Sequence, residues 1–373
     1  MSGPRRCVRR PPASVRSLLV AGALFVALSG LISCTADGPT PLAIAEPTAF
    51  ARILYPADNP TTVEGLALGR DLFFDPVLSH DSTVSCATCH QPALAFTDGK
   101  ARSRGIDGRV GKRNAPGLAN VGYLHKTLFW DGRADDLESQ ALHPIAAAAE
   151  MGGSWPEVLE KLRRHGDYWP RLRRAFGVRQ RADLRKEHVG KALAQFQRSL
   201  ISADSKYDRV QRGEAVYTKE EALGAALFFD FGDETEGPYA DLPTAECAHC
   251  HNPPHFTNQR FFNNGLDEAP TLEDFRDPGR GAVSGSRYDL GLFRSPSLRN
   301  VALTAPYMHD GRMATLAEVV AHYNSGGRYA ENKSANVAPL GLSAAQEAAL
   351  TAFLETLTDS VFVNQEAYRP LSR

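Results

Sequence analysis

The chain has 373 residues, which is long enough for two domains. Its 42 lysines and arginines nearly balance its 43 acidic residues, and a formal net charge of −1 argues against a nucleic-acid partner. Of the six cysteines, four fall in two copies of one motif and the other two, Cys7 and Cys34, lie in or beside a leader. No cysteine pair is therefore left over for a structural disulfide.

Residues 1–33 are predicted to be a lipoprotein signal peptide. Five arginines precede an apolar run that ends near Ile32 and is too short to span a bilayer comfortably. Leu31-Ile32-Ser33-Cys34 looks like a bacterial lipobox and predicts lipidation of Cys34, and Thr35 after it favours the outer membrane. An ordinary cleaved signal with a chance cysteine is the alternative. Both interpretations predict export to the periplasm, with membrane contact only through an N-terminal lipid.

Residues 34–47 are rich in Pro, Ala and Thr and are predicted to be a tether. A helix then begins with a capping box of Thr61 and Glu64, and it leads to Cys86-Ala87-Thr88-Cys89-His90. C-x-x-C-H is the attachment site of c-type haem, with two thioether bonds and a histidine as axial ligand. A single copy could also be a redox dithiol or half a zinc site. Because Cys247-Ala248-His249-Cys250-His251 repeats the pattern, the sequence predicts two covalent c haems.

The two halves of the chain repeat more than the haem motif. Residues 68–75 before the first motif match residues 223–230 before the second, and the second helix has its own capping box of Thr218 and Glu221. Beyond the motifs, 114–121 matches 294–301, and the Asp-Gly-Arg turn at 131–133 matches that at 310–312. We therefore predict an all-α, loop-rich fold of two cytochrome c-like haem domains, at 48–212 and 213–373.

Further helices are predicted between and after these matched segments. Ser154 and Glu157 cap one helix whose apolar positions run to Phe176, and another carries apolar residues from Leu193 to Leu200 at helical spacing. Thr315 with Glu318, and Ser343 with Gln346, are predicted to cap the last two helices. No convincing strand run is present.

The repeat also predicts different axial ligation of the two irons. Thirteen residues after each Asp-Gly-Arg aspartate stands Tyr323 in the second half and Pro144 in the first. A phenol oxygen can ligate iron whereas proline cannot, so the first haem is predicted to be open and the second closed. From spacing alone Tyr323 could equally be a core or surface residue. Met308 is a rival ligand, and His309 and His322 are weaker candidates.

Residues near Pro144 have the chemistry that peroxide cleavage needs. Glu150 could move a proton between the two peroxide oxygens, and Gln140, one helical turn before Pro144, could hydrogen-bond them. Alternatively, Glu150 is a solvated carboxylate where an alanine-rich helix ends. Trp130 could pass charge between the irons or simply belong to the core.

These residues resemble the bacterial di-haem cytochrome c peroxidase superfamily. The resemblance lies in the paired haem motifs, in Phe129-Trp130-Asp131-Gly132-Arg133 and in residues 297–301 and 305–311. It implies that the N-terminal haem handles peroxide while the C-terminal haem stores electrons. It also implies that Glu150 and Gln140 are the distal acid–base pair, that Pro144 packs on the distal side and that Trp130 lies between the haems. A calcium site follows from the same resemblance, with ligands Asn114, Thr304 and Pro306.

Two departures point to the MauG branch and its MbnH-like relatives. Tyr323 stands where ordinary peroxidases have methionine, and the loop after the first motif lacks their histidine. The branch uses peroxide to reach a high-valent state shared by both irons and then oxidises tryptophan in a partner protein. However, its tryptophan six residues before the second motif histidine is replaced by Ala245, which puts the route to a partner in question. A peroxidase reducing hydrogen peroxide with electrons from a small cytochrome c or copper protein is the alternative, followed by a non-enzymatic electron carrier.

Overall fold

The computed structural model of the protein describes residues 38–230, 239 and 242–370. The predicted signal peptide and the predicted lipidation site Cys34 lie outside the described residues, as does the start of the predicted tether. The rest of that segment contacts the fold: Thr40 binds the Glu64 carboxylate through its backbone and side chain, and Leu42 N donates to Thr61 O at 3.0 Å.

The described chain is helix-rich, as the sequence predicted, with one antiparallel ladder of two two-residue strands. The strands are β1 (Phe261–Phe262) and β2 (Phe293–Arg294). The helices of the described residues are α1 (Val63–Phe74), α2 (Cys86–Cys89), α3 (Leu137–Ala146), α4 (Trp155–Arg164), α5 (Tyr168–Phe176), α6 (Lys186–Arg198), α7 (Lys206–Gln211), α8 (Lys219–Phe229), α9 (Cys247–Cys250), α10 (Gly281–Ser284), α11 (Leu316–Asn324), α12 (Ala344–Glu355) and α13 (Ser360–Asn364). Within this part of the chain, none of the helices has both the length and the apolar character needed to cross a membrane.

The apolar side chains form two main cores that follow the two halves of the sequence. The first core gathers α1, α3, α4, α5 and α6, and the second gathers α8, α11 and α12. Gly69 of α1 and Gly224 of α8 occupy matching places in the sequence repeat. A Cβ at either would collide with a backbone carbonyl of the crossing helix, Ala192 in α6 or Ala349 in α12. Each helix before a haem motif is thus held against a later helix at a glycine.

The cores also exchange residues near the predicted domain boundary. Tyr207 belongs to the second core, whereas Phe362 and Val363 of α13 pack in the first. The C-terminal helix therefore returns to the N-terminal half and ties the halves together.

Most predicted helix starts are confirmed, and two details were wrong. The capping boxes at Thr218, Thr315 and Ser343 are present. Helix α1 is instead capped by Thr62, whose Oγ1 accepts from Gly65 N at 3.0 Å, because Thr40 occupies the Glu64 carboxylate.

The predicted helix from 155 to 176 is two helices, α4 and α5. His165 Nδ1 lies 3.2 Å from Asp167 N and 3.3 Å from Tyr168 N, and these contacts close a turn around Gly166. Apolar residues on both sides of the turn still enter the first core, so the apolar pattern was interpreted correctly although the helix is interrupted.

Candidate functional site

The first Cys-x-x-Cys-His motif forms the single helical turn α2, which ends at Cys89 and is followed by His90 as its C-cap. Nδ1 of His90 lies 2.7 Å from the carbonyl oxygen of Phe96. Because a carbonyl only accepts, Nδ1 carries the proton and Nε2 keeps its lone pair. Ala95 and Phe96 have φ values of 50° and 64°, and this backbone reversal brings the carbonyl onto the ring. Burial lowers the pKa of His90 and favours the neutral form that binds metal.

The second motif repeats this arrangement at α9. Nδ1 of His251 lies 3.0 Å from the carbonyl oxygens of both Phe256 and Pro296, so Nε2 is again the free nitrogen. Burial raises the pKa of Cys86 and Cys247 to about 12, so both are neutral thiols before any reaction. Each motif therefore offers two thiols for thioether bonds, and one imidazole nitrogen that is free to bind a metal.

A cavity of about 1280 Å³, here called the first cavity, lies beside the first motif. Cys89 and His90 form part of its wall. The four residues that the sequence selected as catalytic line the same cavity: Trp130, Gln140, Pro144 and Glu150. The structure thus brings all four together beside the histidine of the first motif, although Glu150 lies 60 positions after His90 in the sequence.

Glu150 lies on a turn after α3 rather than at the end of the helix itself. Helix α3 ends at Ala146, and the turn is closed by Glu150 N donating to Ala147 O at 2.9 Å. The Glu150 carbonyl accepts from Ile106 N at 2.8 Å, which fixes the backbone. Burial raises the pKa of the Glu150 carboxyl, and the guanidinium of Arg133 partly opposes this rise. A carboxyl with a raised pKa is suited to exchanging protons.

The second cavity lies beside the second motif and contains both predicted sixth ligands. Its wall includes Cys247, Cys250 and His251, together with Tyr323 of α11 and Met308. Tyr323 and Pro144, which hold matching positions in the repeat, therefore line the second and the first cavity respectively. Burial raises the pKa of Tyr323 to about 12.

Asn264 links the two rival ligands, and sequence reasoning missed it. Its Nδ2 donates to the Tyr323 hydroxyl at 3.1 Å and lies 3.5 Å from the Met308 sulfur. The backbone carbonyl oxygen of Asn264 lies 3.0 Å from Nε2 of His322. This hydrogen bond engages Nε2, so that nitrogen is not free to bind a metal. His309 stacks flat on Phe293, with ring centroids 3.7 Å apart. No local sequence signal marks Asn264, because its role depends on contacts about 44 and 59 residues away.

A shared wall separates the two cavities, and Trp130 and Asn114 both belong to it. The Trp130 indole N–H donates to the Asn114 carbonyl at 2.9 Å. The Asn114 side-chain nitrogen donates to Lys100 O at 2.9 Å, which leaves the amide oxygen as the free acceptor. Asn114, Thr304 and Pro306 all line the second cavity. The calcium site stays a prediction; no cluster of three His, Cys, Asp or Glu suited to a metal occurs among the described residues.

An ion-pair network lies at the edge of the first cavity. Arg113 binds Asp131 at 2.5 Å and Asp277 at 2.7 Å, and so connects the two halves of the chain. Arg133 binds the same Asp131 at 3.0 Å and stacks over the Phe129 ring. The Asp-Gly-Arg turn found by repeat matching is therefore the centre of this network. The participation of Asp277 was not predictable from local sequence.

Position 245, where the MauG branch that the sequence resembles has tryptophan, is a buried alanine. Ala245 has 6% of its surface exposed and belongs to the second core. No aromatic ring from this position can reach a partner protein, which agrees with the doubt raised by the sequence.

The residues present fit one c haem in each cavity. The second cavity is lined by both thiols of its motif and the first by the Cys89 thiol, and each has a neutral imidazole with a free Nε2 and apolar walls that a porphyrin would cover. In the second cavity an oxygen and a sulfur donor are also available, while the described wall of the first has no tyrosine or methionine.

Comparison with known proteins agrees with this geometry. The sequence model of the di-haem cytochrome c peroxidase family matches residues 63–216. The methylamine utilization protein MauG of Methylorubrum extorquens is 38% identical over 338 residues, covering 88% of this chain and 89% of that protein. The chain belongs to the di-haem cytochrome c peroxidase family.

Relatives named as MauG proteins and relatives named as cytochrome c peroxidases are both similar to this chain. The cytochrome c peroxidase IdrP1 of Denitromonas iodatirespirans is 36% identical, with 81% of this chain and 84% of that protein covered. The crystal structure of a MauG-like protein associated with microbial copper homeostasis has a TM-score of 0.77 and 34% identity, covering 88% of this chain and 99% of the other. The protein is thus an oxidoreductase of the peroxide-using di-haem cytochrome c peroxidase type, and its family implies two haem c groups.

Proposed function

We propose that the protein uses hydrogen peroxide to oxidise a partner protein, as a member of the MauG-like and MbnH-like branch. The observation that carries the proposal is the contrast between Tyr323 and Pro144. These residues hold matching positions in the two halves, and each lines the cavity of its own half. With haem bound, Tyr323 would offer a phenol oxygen that closes the second iron, while Pro144 would offer no ligand and leave the first open to peroxide. We propose accordingly that 48–212 is the peroxidatic haem domain and 213–373 the electron-transfer haem domain.

The bound haems supply the redox-active irons, and the surrounding chain supplies proton transfer and orientation. In the first cavity Glu150 accepts the proton of the bound peroxide and returns it to the departing oxygen. The Gln140 amide hydrogen-bonds the same oxygen atoms, and Pro144 packs there without offering a ligand. The raised pKa of Glu150 supports this role, because a carboxyl whose pKa lies nearer to neutral pH is a stronger base than an ordinary glutamate and both of its protonation states are accessible.

In the second cavity, the identity of the residue that binds the iron determines which oxidation state of the iron is favoured. An anionic tyrosine oxygen stabilises the ferric and more oxidised states, whereas a methionine sulfur favours the ferrous state. Asn264, which donates to the Tyr323 hydroxyl at 3.1 Å, also stabilises the phenolate form through the same hydrogen bond. With haem bound, this ligand set would favour retention of oxidising equivalents for a protein substrate.

We further propose that the protein acts in the periplasm, lipid-anchored through Cys34 and held at the outer membrane. Covalent c haem and the leader with its lipobox-like end support this location. Asn114, Thr304 and Pro306 are proposed to bind calcium between the haems.

A scavenging peroxidase is the second candidate, and two observations favour it. Met308 lies 3.5 Å from Asn264 beside Tyr323, so a methionine ligand is within the same cavity. Ala245 is buried where the branch has its tryptophan. In this case electrons come from a small cytochrome c or copper protein, and peroxide is reduced to water.

One experiment separates the two candidates. The purified di-haem protein is mixed with stoichiometric peroxide and its optical spectrum is followed with and without reduced cytochrome c. A long-lived change in both haem spectra, with slow cytochrome oxidation, is the expected result. Rapid steady turnover with reduced cytochrome c would favour the scavenging peroxidase. An unchanged spectrum would contradict both.

A further inference from the structure

Arg294 is a buried guanidinium without a carboxylate partner. Three arginines are buried in the part of the chain that the structure describes, with 3% of Arg198, 5% of Arg294 and 3% of Arg299 exposed. Arg198 binds Glu138 at 2.7 Å and Arg299 binds Asp208 at 2.8 Å. Arg294 forms no ion pair with any described residue. Burying a charge without a counter-charge costs free energy, so an anion bound at Arg294 would stabilise the protein.

The protein contacts of Arg294 are carbonyl oxygens. Its Nε donates to Phe129 O and its Nη1 to Ser295 O, each at 3.2 Å. Its backbone N donates to Trp130 O at 2.8 Å, so β2 holds the residue against the first half of the chain. Carbonyl dipoles orient the guanidinium but do not neutralise a full positive charge. Burial lowers the pKa of Arg294 to about 10, and no acidic group opposes this decrease.

Arg294 lies at the boundary of the two haem cavities. It lines both of them, close enough to His251 for its charge to lower the pKa of that imidazole. Phe293, its neighbour in β2, also lines the second cavity. The guanidinium is therefore available from the side where a porphyrin would lie, and not from solvent.

We propose that Arg294 binds the carboxylate of a haem propionate. The proposal rests on the proposed occupancy of both cavities by c haem, whose propionates are the anionic groups that such a cofactor brings into them. A guanidinium can bind one carboxylate through two parallel hydrogen bonds, which a lysine cannot reproduce. The ligand class is a carboxylate, and the cavity geometry allows it to come from either haem.

This pairing has a measurable consequence for reduction potential. With Arg294 present, its positive charge compensates the propionate near the iron. Without it, the uncompensated negative charge stabilises the ferric state of that haem and disfavours reduction. The test compares Arg294→Met, which removes the charge, with Arg294→Lys, which keeps the charge but loses the paired donors. Arg287→Gln is the control, because it removes the same charge at an exposed site paired with Glu273 and lines neither cavity.

The two haem potentials of each holoprotein are measured by spectroelectrochemical titration, after haem content has been counted. We expect Arg294→Met to lower the reduction equilibrium constant of one haem about tenfold, which corresponds to about 59 mV for one electron. Arg294→Lys should cause a smaller decrease and Arg287→Gln none. The haem whose potential changes identifies the source of the propionate.

Unchanged potentials in Arg294→Met, with two haems bound, would overturn the inference while leaving the proposed function intact. Failure of the wild-type protein to bind two c haems would instead overturn the proposed function. If Arg294→Met does not fold, a crystal structure of the wild-type holoprotein decides. A propionate oxygen at about 2.7–2.9 Å from the guanidinium supports the inference, and propionates paired elsewhere contradict it.

Discussion

Trp130 donates its indole N–H to the backbone carbonyl of Asn114 at 2.9 Å, and both residues line both cavities. The hydrogen bond fixes the indole ring in the wall between the two haem motifs. The backbone N–H of the same Asn114 donates to His309 O, in the second half of the chain, at 2.8 Å. The tryptophan is therefore attached to a segment that both halves of the chain hold in position.

Trp130→Phe is expected to slow electron exchange between the haems. Phenylalanine keeps a ring in the wall, but it is harder to oxidise and leaves the Asn114 carbonyl without its donor. Loss of this hydrogen bond should also lower the free energy of unfolding by about 1–3 kcal/mol. Stopped-flow spectroscopy of the half-reduced protein after peroxide addition measures the exchange. Trp155→Phe in α4, which lines neither cavity, is the control, and an equal effect there would contradict the role of Trp130.

Glu150→Gln is expected to slow the reaction with peroxide by about 10²–10⁴-fold, because glutamine cannot accept a proton. The wild-type rate should fall as the pH decreases, since the carboxylate is the proton acceptor. Burial raises the pKa of Glu150 above its ordinary value of 4.5, so this decrease begins at a higher pH than for an exposed glutamate. Stopped-flow rates across pH test this, and the variant should lack the acidic limb. Glu157→Gln, at an exposed site, should leave the profile unchanged.

Arg133 is expected to set the pH at which the peroxide reaction slows, without contacting peroxide itself. Its positive charge lowers the pKa of Glu150, and its ion pair with Asp131 at 3.0 Å holds it in place. Arg133→Met should therefore shift the acidic limb of the rate profile to higher pH, and Arg133→Lys should largely restore it. A uniform decrease in rate with no shift along the pH axis would indicate a purely structural role.

Tyr323→Phe and Met308→Leu distinguish the rival ligands of the second iron. If Tyr323 is the ligand, its replacement should alter the ferric spectrum and raise the potential of the second haem, because an anionic oxygen no longer stabilises the ferric state. Met308→Leu should then leave both properties unchanged. Electron paramagnetic resonance and redox titration of each variant provide the measurement. The reverse pattern would assign the iron to Met308 and favour the scavenging peroxidase.

Local sequence was sufficient for the features that depend on local chemistry. The capping boxes at Thr218 and Thr315 marked helix starts, because a hydroxyl and a carboxylate three residues apart satisfy free backbone N–H groups. Internal repeat matching also brought Tyr323 and Pro144 into correspondence, and each lines the cavity of its half.

Features that depend on distant contacts were not predictable from single segments. The Glu64 carboxylate binds Thr40 instead of capping helix α1 as expected. A turn closed by His165 at 165–168 divides one predicted helix into two. Asn264 gains its importance from contacts with Tyr323 and Met308 far along the second half, and Arg294 from a contact with Phe129 in the first half. The repeat placed Arg294 opposite Asn114, but neither residue carries a local signal that predicts these contacts.

The twin haem sites are predicted to differ, with the first iron open and the second closed. Electron paramagnetic resonance of the fully oxidised di-haem protein tests it most directly, because open and closed ferric haems give high-spin and low-spin signals. One high-spin signal and one low-spin signal in equal amounts are predicted, with the low-spin signal altered in Tyr323→Phe. Two low-spin signals, or a high-spin signal that Tyr323→Phe removes, would show that the first iron is not open or that Tyr323 does not close the second.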